Sequence, residues 1–100
     1  MQARKALRLH ATDNVAVVLD DVQAGQQLII LGPEAAATME ARQAIPFAHK
    51  IAFSRVDEGA AIVKYGVPIG FATQRIEQGD WVHGHNIGSY YAARRRENLP

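Results

Sequence analysis

Asp21-Val22-Gln23-Ala24-Gly25-Gln26-Gln27-Leu28 is the first of three similar stretches that decide the fold of this protein. The others are residues 55–62 and 75–82, and each reads, from its second position, as apolar, two polar or small residues, glycine, two residues, apolar. The glycine suits a turn position with positive φ, and the apolar residue after it suits a strand leaving the turn. The glycines are irregularly spaced, which excludes a solenoid array. We therefore predict three strand–turn–strand corners in one compact β-fold.

Short apolar or alternating segments fill most of the chain around these corners. The segment at residues 67–72 contains Pro68 and Gly70, a composition typical of a bent edge strand. Short strands joined by glycine-containing turns favour an all-β domain that is clip-like or resembles a small barrel. The predicted strands are residues 15–19, 27–31, 50–53, 61–65, 67–72 and 81–85.

Residues 34–42 (EAAATMEAR) disagree with this β pattern. They follow Gly32-Pro33, are rich in helix formers and end ahead of Pro46. Propensity alone predicts a short helix here, and an exposed β-excursion made of poor strand formers is the alternative. The predicted fold class is therefore all-β with at most one short helix.

Length and composition limit the classes of protein to which this chain can belong. One hundred residues suit a single domain, which we expect over residues 1–100, with its core at about 8–88 and a mobile tail at 89–100. The net charge of +1 gives no argument for nucleic acid or a membrane surface, although Arg94-Arg95-Arg96 suits either a solvated tail or an acidic partner. The absence of cysteine excludes disulfides and thiolate metal sites. Without a signal-like or membrane-spanning apolar run, the protein is expected to be soluble and cytoplasmic.

His83 and His85 are the strongest chemical signal in the sequence. Residues two apart on a strand point to one face, so two imidazoles at the end of the last predicted strand could approach one divalent metal ion. Asn86 could add an amide oxygen. Two ligands are too few for a closed site, so the others would come from elsewhere in the chain, from a partner chain or from water. Ordinary surface histidines remain the alternative.

Two further pairs suit the binding of an anion or a polyol, namely His49-Lys50 and Lys64-Tyr65. A lysine supplies a point positive charge and a tyrosine a rigid donor and acceptor, but neither pair is specific, and Lys64 alone reads equally as a solvated side chain.

His10 and Asp13 lie just before the first predicted strand. Asp13-Asn14 is a natural turn opener, and a His–Asp pair could also orient an imidazole for proton transfer or metal binding. The sequence contains no P-loop, dinucleotide-binding, zincin or serine-elbow motif.

In combination, these motifs resemble the altronate/galactarate dehydratase family, and specifically its N-terminal or small-subunit module with the SAF-type β-clip fold. The resemblance runs from about Arg8 to Asn86, and four motifs in the right order carry it. They are His10-Ala11-x-Asp13-Asn14-Val15-Ala16-Val17, His49-Lys50-Ile51-Ala52, Lys64-Tyr65-Gly66-x-x-Ile69-Gly70-x-Ala72 and Val82-His83-x-His85-Asn86.

The resemblance implies a hydro-lyase that removes water from a sugar acid to give a 2-keto-3-deoxy acid. It further implies a divalent metal, iron or manganese, which could be shared with a large catalytic subunit. His83 and His85 match the module's metal or active-site motif. The expected substrate-binding residues are His49, Lys50, Lys64, Tyr65 and Asn86, with His10 and Asp13 as accessory residues.

Three functional readings remain open from the sequence. The first is the small subunit of a two-component sugar-acid dehydratase, whose isolated chain we expect to be inactive. The second is the small subunit of a sulfolactate sulfo-lyase, which has the same layout but eliminates sulfite. The third is a non-catalytic SAF-type module that binds a sugar acid or a partner. Exposed strand edges would also favour a homo-oligomer.

Overall fold

A computed structural model describes residues 3–89 of the chain. Within that range the protein is built of β-strands and turns, so the predicted all-β class is confirmed. The strands are β1 (Arg4–Leu7), β2 (Val15–Val18), β3 (Gln27–Leu31), β4 (Ala37–Glu40), β5 (Lys50–Ala52), β6 (Ala61–Lys64), β7 (Val67–Ala72), β8 (Trp81–Val82) and β9 (Ile87–Gly88).

The strands form two sheets, one with the order β4-β3-β1-β2-β5-β8 and one with the order β6-β7-β9. In the larger sheet β1 runs parallel to β3 and antiparallel to β2, and all its other neighbouring strands are antiparallel. The strand β1, which lies between β2 and β3, was not predicted from the sequence, where the core was expected to begin at about residue 8. Its Ala6 is fully buried. Two of its four residues, Arg4 and Lys5, are charged and Arg8 follows it, which conceals this short strand in the sequence.

All three predicted corners are present. Gly25, Gly59 and Gly79 have φ values of +86°, +85° and +92°. Each is the third residue of a four-residue turn closed by a backbone hydrogen bond of 3.0 or 3.1 Å, as in type II turns, which need a positive φ at that position. The glycine in the repeated stretch is therefore explained by backbone conformation.

A fourth corner, at residues 45–49, was missed by the sequence analysis. Ile45 takes the buried apolar position, and the N–H of His49 donates to the carbonyl of Pro46 at 3.0 Å. Ala48 occupies the position held by glycine in the other corners and has a φ of 70°. Alanine in the left-handed region is uncommon, which is why a search for glycine overlooks this corner.

The four corners pair in two equivalent ways, so the domain has an internal pseudo-symmetry. Val22 and Ile45 form one antiparallel bridge, and Val56 and Ile76 form the other. In each corner, the residue with positive φ donates its N–H to the chain segment that leads into the paired corner. The acceptor is the carbonyl of the residue four positions before the apolar residue of that paired corner. The four bonds are Gly25–Ala41 at 2.8 Å, Ala48–Val18 at 2.9 Å, Gly59–Ala72 at 2.8 Å and Gly79–Ala52 at 2.9 Å.

Each half of this arrangement has its own hydrophobic cluster. The first contains the buried faces of β1, β3 and β4, and Phe53 and Trp81 pack against it. The second lies beneath the smaller sheet, and Ile87 packs against it. Its buried members are Val15, Ala52, Val56, Ile62, Ala72, Ile76 and Val82.

Of the two readings left open for residues 34–42, the helix is wrong and the β-excursion is confirmed. Ala37–Glu40 form β4, which pairs antiparallel with β3 at the edge of the larger sheet. Met39 is buried while Thr38 and Glu40 are exposed, so the segment follows the alternation of a half-buried strand. The exposed edge of β3 offers this segment a partner, and tertiary pairing overrides the helix propensity of alanine and glutamate.

The segment Val67–Ala72 is an edge strand over most of its length, as its proline suggested. β9 pairs only with Phe71 and Ala72, and Pro68 faces Val63 beside a register shift in β6. Among residues 3–89 no helix has the length and apolar character needed to cross a membrane. Of the predicted tail, only Ser89 is among the described residues, so Arg94–Arg96 lie outside them.

Candidate functional site

Three of the four histidines meet around one half-buried indole. The ring centroid of Trp81 is 5.3 Å from that of His83, with the planes only 10° apart, and 5.3 Å from that of His85, with the planes at 52°. The His49 ring lies 4.8 Å from His83 and 5.6 Å from Trp81. We call His49, Trp81, His83 and His85 the histidine cluster. Its members come from the fourth corner, β8 and the turn after β8.

The turn after β8 departs from the strand predicted there. β8 ends at Val82, and residues 83–86 form a turn in which the N–H of Asn86 donates to the His83 carbonyl at 3.0 Å. His83 and His85 therefore do not share a strand face, and their common contact with Trp81 replaces the alternation argued from the sequence.

Asn86 shapes this turn with its side chain. Its Oδ1 accepts the N–H of His83 at 2.9 Å, and its Nδ2 donates to the Trp81 carbonyl at 2.8 Å. The residue is only 4% exposed. A buried amide must satisfy its polar atoms inside the protein, and here it does so by holding the histidine-bearing turn on the end of β8. The structure therefore gives Asn86 a positioning role.

The contact between Trp81 and His49 constrains what His49 can do. The indole Nε1–H can only donate, and it lies 3.2 Å from His49 Nδ1. A neutral His49 that accepts this hydrogen bond carries its proton on Nε2. His49 then offers its Nε2–H as a hydrogen-bond donor, which suits an anionic or hydroxyl oxygen better than a metal ion.

The cluster does not form a complete metal site within the described residues. No group of three or more His, Cys, Asp or Glu side chains that could hold a metal ion is found in residues 3–89. His83 and His85 offer two imidazoles, and His49 directs Nδ1 at an indole donor. Because zinc and iron sites in proteins use three or more protein ligands, these residues fit a metal only if another chain or segment adds ligands.

Lys50 and Lys64 form a second part of the site. Neither has an ion pair with an acidic side chain among residues 3–89. Partial burial of Lys50, together with the nearby positive charge of Lys64, lowers the pKa of its ammonium group. The positive charge of Lys64 thus disfavours that of Lys50, and an anion bound near both amines would relieve this repulsion.

A buried carboxylate holds the turn that follows Lys64. Asp13 is 2% exposed and accepts backbone N–H groups of Tyr65 at 3.0 Å, Gly66 at 2.8 Å and His10 at 3.1 Å. Tyr65 and Gly66 have φ values of 57° and 72°, as in the two-residue turns of tight hairpins. Asp13 therefore bonds to the backbone of His10 and not to its ring, whose Nδ1 lies 2.8 Å from Thr12 Oγ1.

Asn14 also bonds to the backbone of this hairpin. Its Oδ1 accepts the N–H of Val63 at 2.8 Å, and its Nδ2 donates to the Ala61 carbonyl at 2.9 Å. We call Asp13 and Asn14 the hairpin clasp, because together they hold the β6–β7 hairpin against the loop that precedes β2. Tyr65 is exposed, and the Lys64 ammonium lies 4.9 Å from the centroid of its ring.

An open groove borders the other side of the cluster. It has a volume of about 350 Å³ and lies between the first and fourth corners, with Trp81 at one end. Its only ionisable lining residue is Asp21, whose carboxylate already accepts the N–H of Phe47 at 2.8 Å. A groove with no basic side chain and one carboxylate is a poor receptor for an acid anion.

Sequence reasoning found the histidines and lysines but missed the role of Trp81. Besides the three imidazoles, it contacts Gln43, whose Oε1 accepts its backbone N–H at 2.8 Å. The available signal was an aromatic residue two positions before His83, in a corner stretch where the other copies have alanine or glutamine.

Comparison with known proteins agrees with this architecture. The family model described as the altronate/galactarate dehydratase SAF domain matches residues 4–90. The chain is 40% identical over 80 residues to altronate dehydratase of Bacillus subtilis, an alignment that covers 80% of this chain but 15% of the relative. It is 32% identical over 78 residues to the L-threo-forming galactarate dehydratase of Escherichia coli, covering 76% of this chain and 14% of that protein.

A third relative has a different length. The chain is 36% identical over 83 residues to (2R)-sulfolactate sulfo-lyase subunit alpha of Chromohalobacter salexigens, covering 79% of this chain and 88% of that subunit. The chain thus spans about a seventh of the dehydratases it matches and most of the sulfo-lyase subunit. By its family model, its relatives and its fold, this chain belongs to the altronate/galactarate dehydratase SAF domain family.

Proposed function

We propose that this chain is the small component of a two-component lyase that dehydrates a sugar acid of the altronate or galactarate type to a 2-keto-3-deoxy acid. The observation that carries the proposal is the gathering of His49, His83 and His85 on one indole, with the unpaired Lys50 following directly after His49. Such a surface offers imidazoles and positive charge, and among residues 3–89 none of its imidazoles is paired with a carboxylate. It supports half of an active site, which a larger chain completes.

The residues have separate tasks in this proposal. Lys50 and Lys64 attract and orient the carboxylate of the substrate, since two amines without acidic partners favour an anion. His49 donates from Nε2 to a substrate oxygen, because its Nδ1 is held by Trp81. Dehydration beside a carboxylate needs a base and stabilisation of the enediolate that forms. Those groups would come from the larger chain.

Any metal is shared in this scheme. His83 and His85 would supply two imidazoles, and the remaining ligands would come from the larger chain. A divalent ion such as iron or manganese would neutralise negative charge that develops on the substrate. The lone chain is accordingly proposed to be inactive and to bind divalent ions weakly.

Reconstitution tests the proposal. The chain is co-produced with a large catalytic chain from the same source that resembles the remainder of the dehydratases, and formation of 2-keto-3-deoxy acid from altronate and galactarate is measured. We expect activity from the pair and none from either chain alone. Normal turnover by the small chain alone would contradict the two-component scheme.

Variants test the cluster in the same assay. His83→Ala/His85→Ala is expected to lower both activity and bound metal at least tenfold. Arg55→Ala/Arg75→Ala, which removes two exposed cations from other corners, is the control and should leave both unchanged. Full activity and metal content in the histidine double variant would refute a metal role for the cluster.

The second candidate is the small subunit of a sulfo-lyase acting on sulfolactate. The coverage of 88% of the sulfo-lyase alpha subunit, against 15% of the altronate dehydratase, favours it. The same reconstituted pair distinguishes the two, because release of sulfite from sulfolactate without dehydration of sugar acids would select this candidate. Binding of a sugar acid without any turnover would select a non-catalytic module.

A further inference from the structure

Arg8 is held in a fixed orientation at the end of β5 opposite the histidine cluster. Its Nε donates to the Asp13 carbonyl at 2.8 Å and its Nη2 to the Ala11 carbonyl at 2.6 Å. The guanidinium carbon lies 4.0 Å from the centroid of the Phe53 ring, and the side chain is only 11% exposed. A guanidinium that is bonded through two of its nitrogens and stacked on a ring loses little further entropy when it binds an anion.

A small cavity opens beside this guanidinium. It has a volume of about 90 Å³ and is bounded by Arg8, Phe53 and the loop that joins β3 to β4. The loop passes directly over Arg8, since a Cβ at Gly32 would lie 2.3 Å from the Arg8 carbonyl oxygen. Glu34 is the one other charged residue in the lining, and the remaining side chains are apolar, namely Ile30, Leu31, Pro33, Ala35 and Ala37.

The third nitrogen of the guanidinium is poorly satisfied. Nη1 has no hydrogen-bond acceptor among residues 3–89, and its nearest carboxylate oxygen is Glu34 Oε2 at 3.7 Å. The Glu34 side chain is 62% exposed, so this ion pair is weak and easily displaced. A rigid donor edge that faces an apolar-walled cavity matches the usual composition of a ligand site, in which few polar groups fix the orientation of the ligand.

We propose that this cavity binds a small carboxylate anion and that Glu34 occupies the guanidinium edge when no ligand is bound. The carboxylate would accept N–H groups from Nη1, and the short carbon chain would lie against Phe53 and Pro33. The small volume of about 90 Å³, which holds a few water molecules, suits acids of roughly two to four carbons. The site is separate from the histidine cluster and does not depend on the function proposed above.

Nuclear magnetic resonance of the ¹⁵N-labelled chain tests this proposal. Acetate, pyruvate and, at matched ionic strength, chloride and sulfate are titrated separately. Saturable shifts of the Arg8 Nε–H signal and of the Gly32 and Glu34 amides are expected with the carboxylates and not with chloride. Shifts that never saturate, or that chloride and sulfate reproduce equally, would overturn the proposal of a carboxylate site.

Three variants sharpen the result. Glu34→Gln removes the competing charge and should tighten carboxylate binding roughly two- to fivefold, the factor expected for an exposed ion pair. Glu58→Gln changes an exposed glutamate in the corner that contains Gly59. It is the matched control and should leave carboxylate binding unchanged. Ala37→Leu fills the cavity while leaving both hydrogen bonds of Arg8 in place, and it should abolish binding. Unchanged binding in Ala37→Leu, or equal effects of the two glutamate variants, would refute the site.

Discussion

At the corners of this domain, the residue type is governed by backbone conformation as much as by side-chain chemistry. Ala48 shows this most clearly, because it takes the left-handed conformation that glycine takes in the other three corners. The corner forms nonetheless, since Ile45 is buried and the turn is closed by backbone hydrogen bonds on both sides. The left-handed conformation costs an alanine about 1–2 kcal/mol, which the rest of the corner offsets.

Ala48→Gly is accordingly expected to stabilise the protein by roughly 0.5–1 kcal/mol. Relief of the left-handed conformation outweighs the greater flexibility of glycine in the unfolded chain. Ala24→Gly, at the exposed position before Gly25, is the control and should destabilise by about 0.5–1 kcal/mol. Urea unfolding of both variants measures the free energies, and a loss of stability in Ala48→Gly would contradict the strain argument.

Lys50 provides a residue-scale prediction that depends on pH. Partial burial and the charge of Lys64 lower its pKa in the folded protein below the value of 10.5 in the unfolded chain. Below the pKa of the folded state, Lys50 is protonated in both the folded and the unfolded state. The folded state then carries the full cost of a partly buried charge near Lys64. As the pH rises from the folded pKa toward 10.5, the folded state loses its proton first, so stability rises with pH.

Lys50→Met should therefore be more stable than the wild type near pH 7, by less than about 1 kcal/mol because the group is partly solvated. The advantage should shrink as the pH approaches 10.5. Lys64→Met removes one of the two causes of the shift and should weaken the pH dependence of the wild type. Unfolding free energies between pH 7 and 10.5 test this, and an advantage that grows with pH would show that the sign is wrong.

At the scale of elements, the four corners are the units from which the domain is built. The first and fourth join strands within the larger sheet, the other two join the larger sheet to the smaller one, and each bonds to its paired corner through the N–H of its positive-φ residue. The corners are not equally crowded. A Cβ at Gly59 would meet nothing within 4 Å, whereas one at Gly79 would lie 2.4 Å from the Glu40 carbonyl oxygen.

Alanine at these two glycines should separate conformational strain from steric clash. Gly59→Ala is expected to cost about 1–2 kcal/mol, the penalty of the left-handed conformation alone. Gly79→Ala adds a clash with the backbone of β4 and should cost about 1–3 kcal/mol more. Thermal unfolding of the two variants gives the difference, and equal losses would mean that β4 moves aside without cost.

The corners and strands were predicted well where their signals are local. Positive-φ glycines and apolar runs identified three corners and the positions of β2, β3, β5, β6 and β7 to within one residue at each end. The helix at residues 34–42 was wrong, since its strand state depends on pairing with β3. β8 was predicted too long, because the side chain of Asn86 turns the chain immediately after Val82.

At the scale of the whole molecule, the hairpin clasp connects parts of the chain about fifty residues apart. Asp13 and Asn14 reach from the loop before β2 to the turn and strand of the β6–β7 hairpin, which carries Lys64 and Tyr65. The three hydrogen bonds of Asp13 are made by a buried carboxylate, and bonds to a charged acceptor are about twice as strong as neutral ones. The clasp therefore fixes the backbone on both sides of Lys64 against the loop before β2.

Asp13→Asn should release this hairpin. The amide keeps one acceptor oxygen but turns an NH₂ group toward backbone donors, so we expect a loss of about 2–4 kcal/mol. Amide hydrogen exchange should become faster at Tyr65 and Gly66 than in the larger sheet. Asp57→Asn, which alters only an exposed ion pair, is the control and should cost less than about 1 kcal/mol. Equal effects of the two variants would show that the Asp13 carboxylate does not hold the hairpin.

The sequence by itself determined the all-β class, three of the four corners, most strands, and the histidines and lysines that carry the proposed chemistry. These features follow from local causes, namely the conformational freedom of glycine, the alternation of apolar residues and the chemistry of each side chain. The tertiary structure alone decided the fourth corner, the strand state of residues 37–40, the assembly of three imidazoles on Trp81 and the cavity beside Arg8. Each of these depends on residues far apart in the chain, and their pairing cannot be read from any one segment.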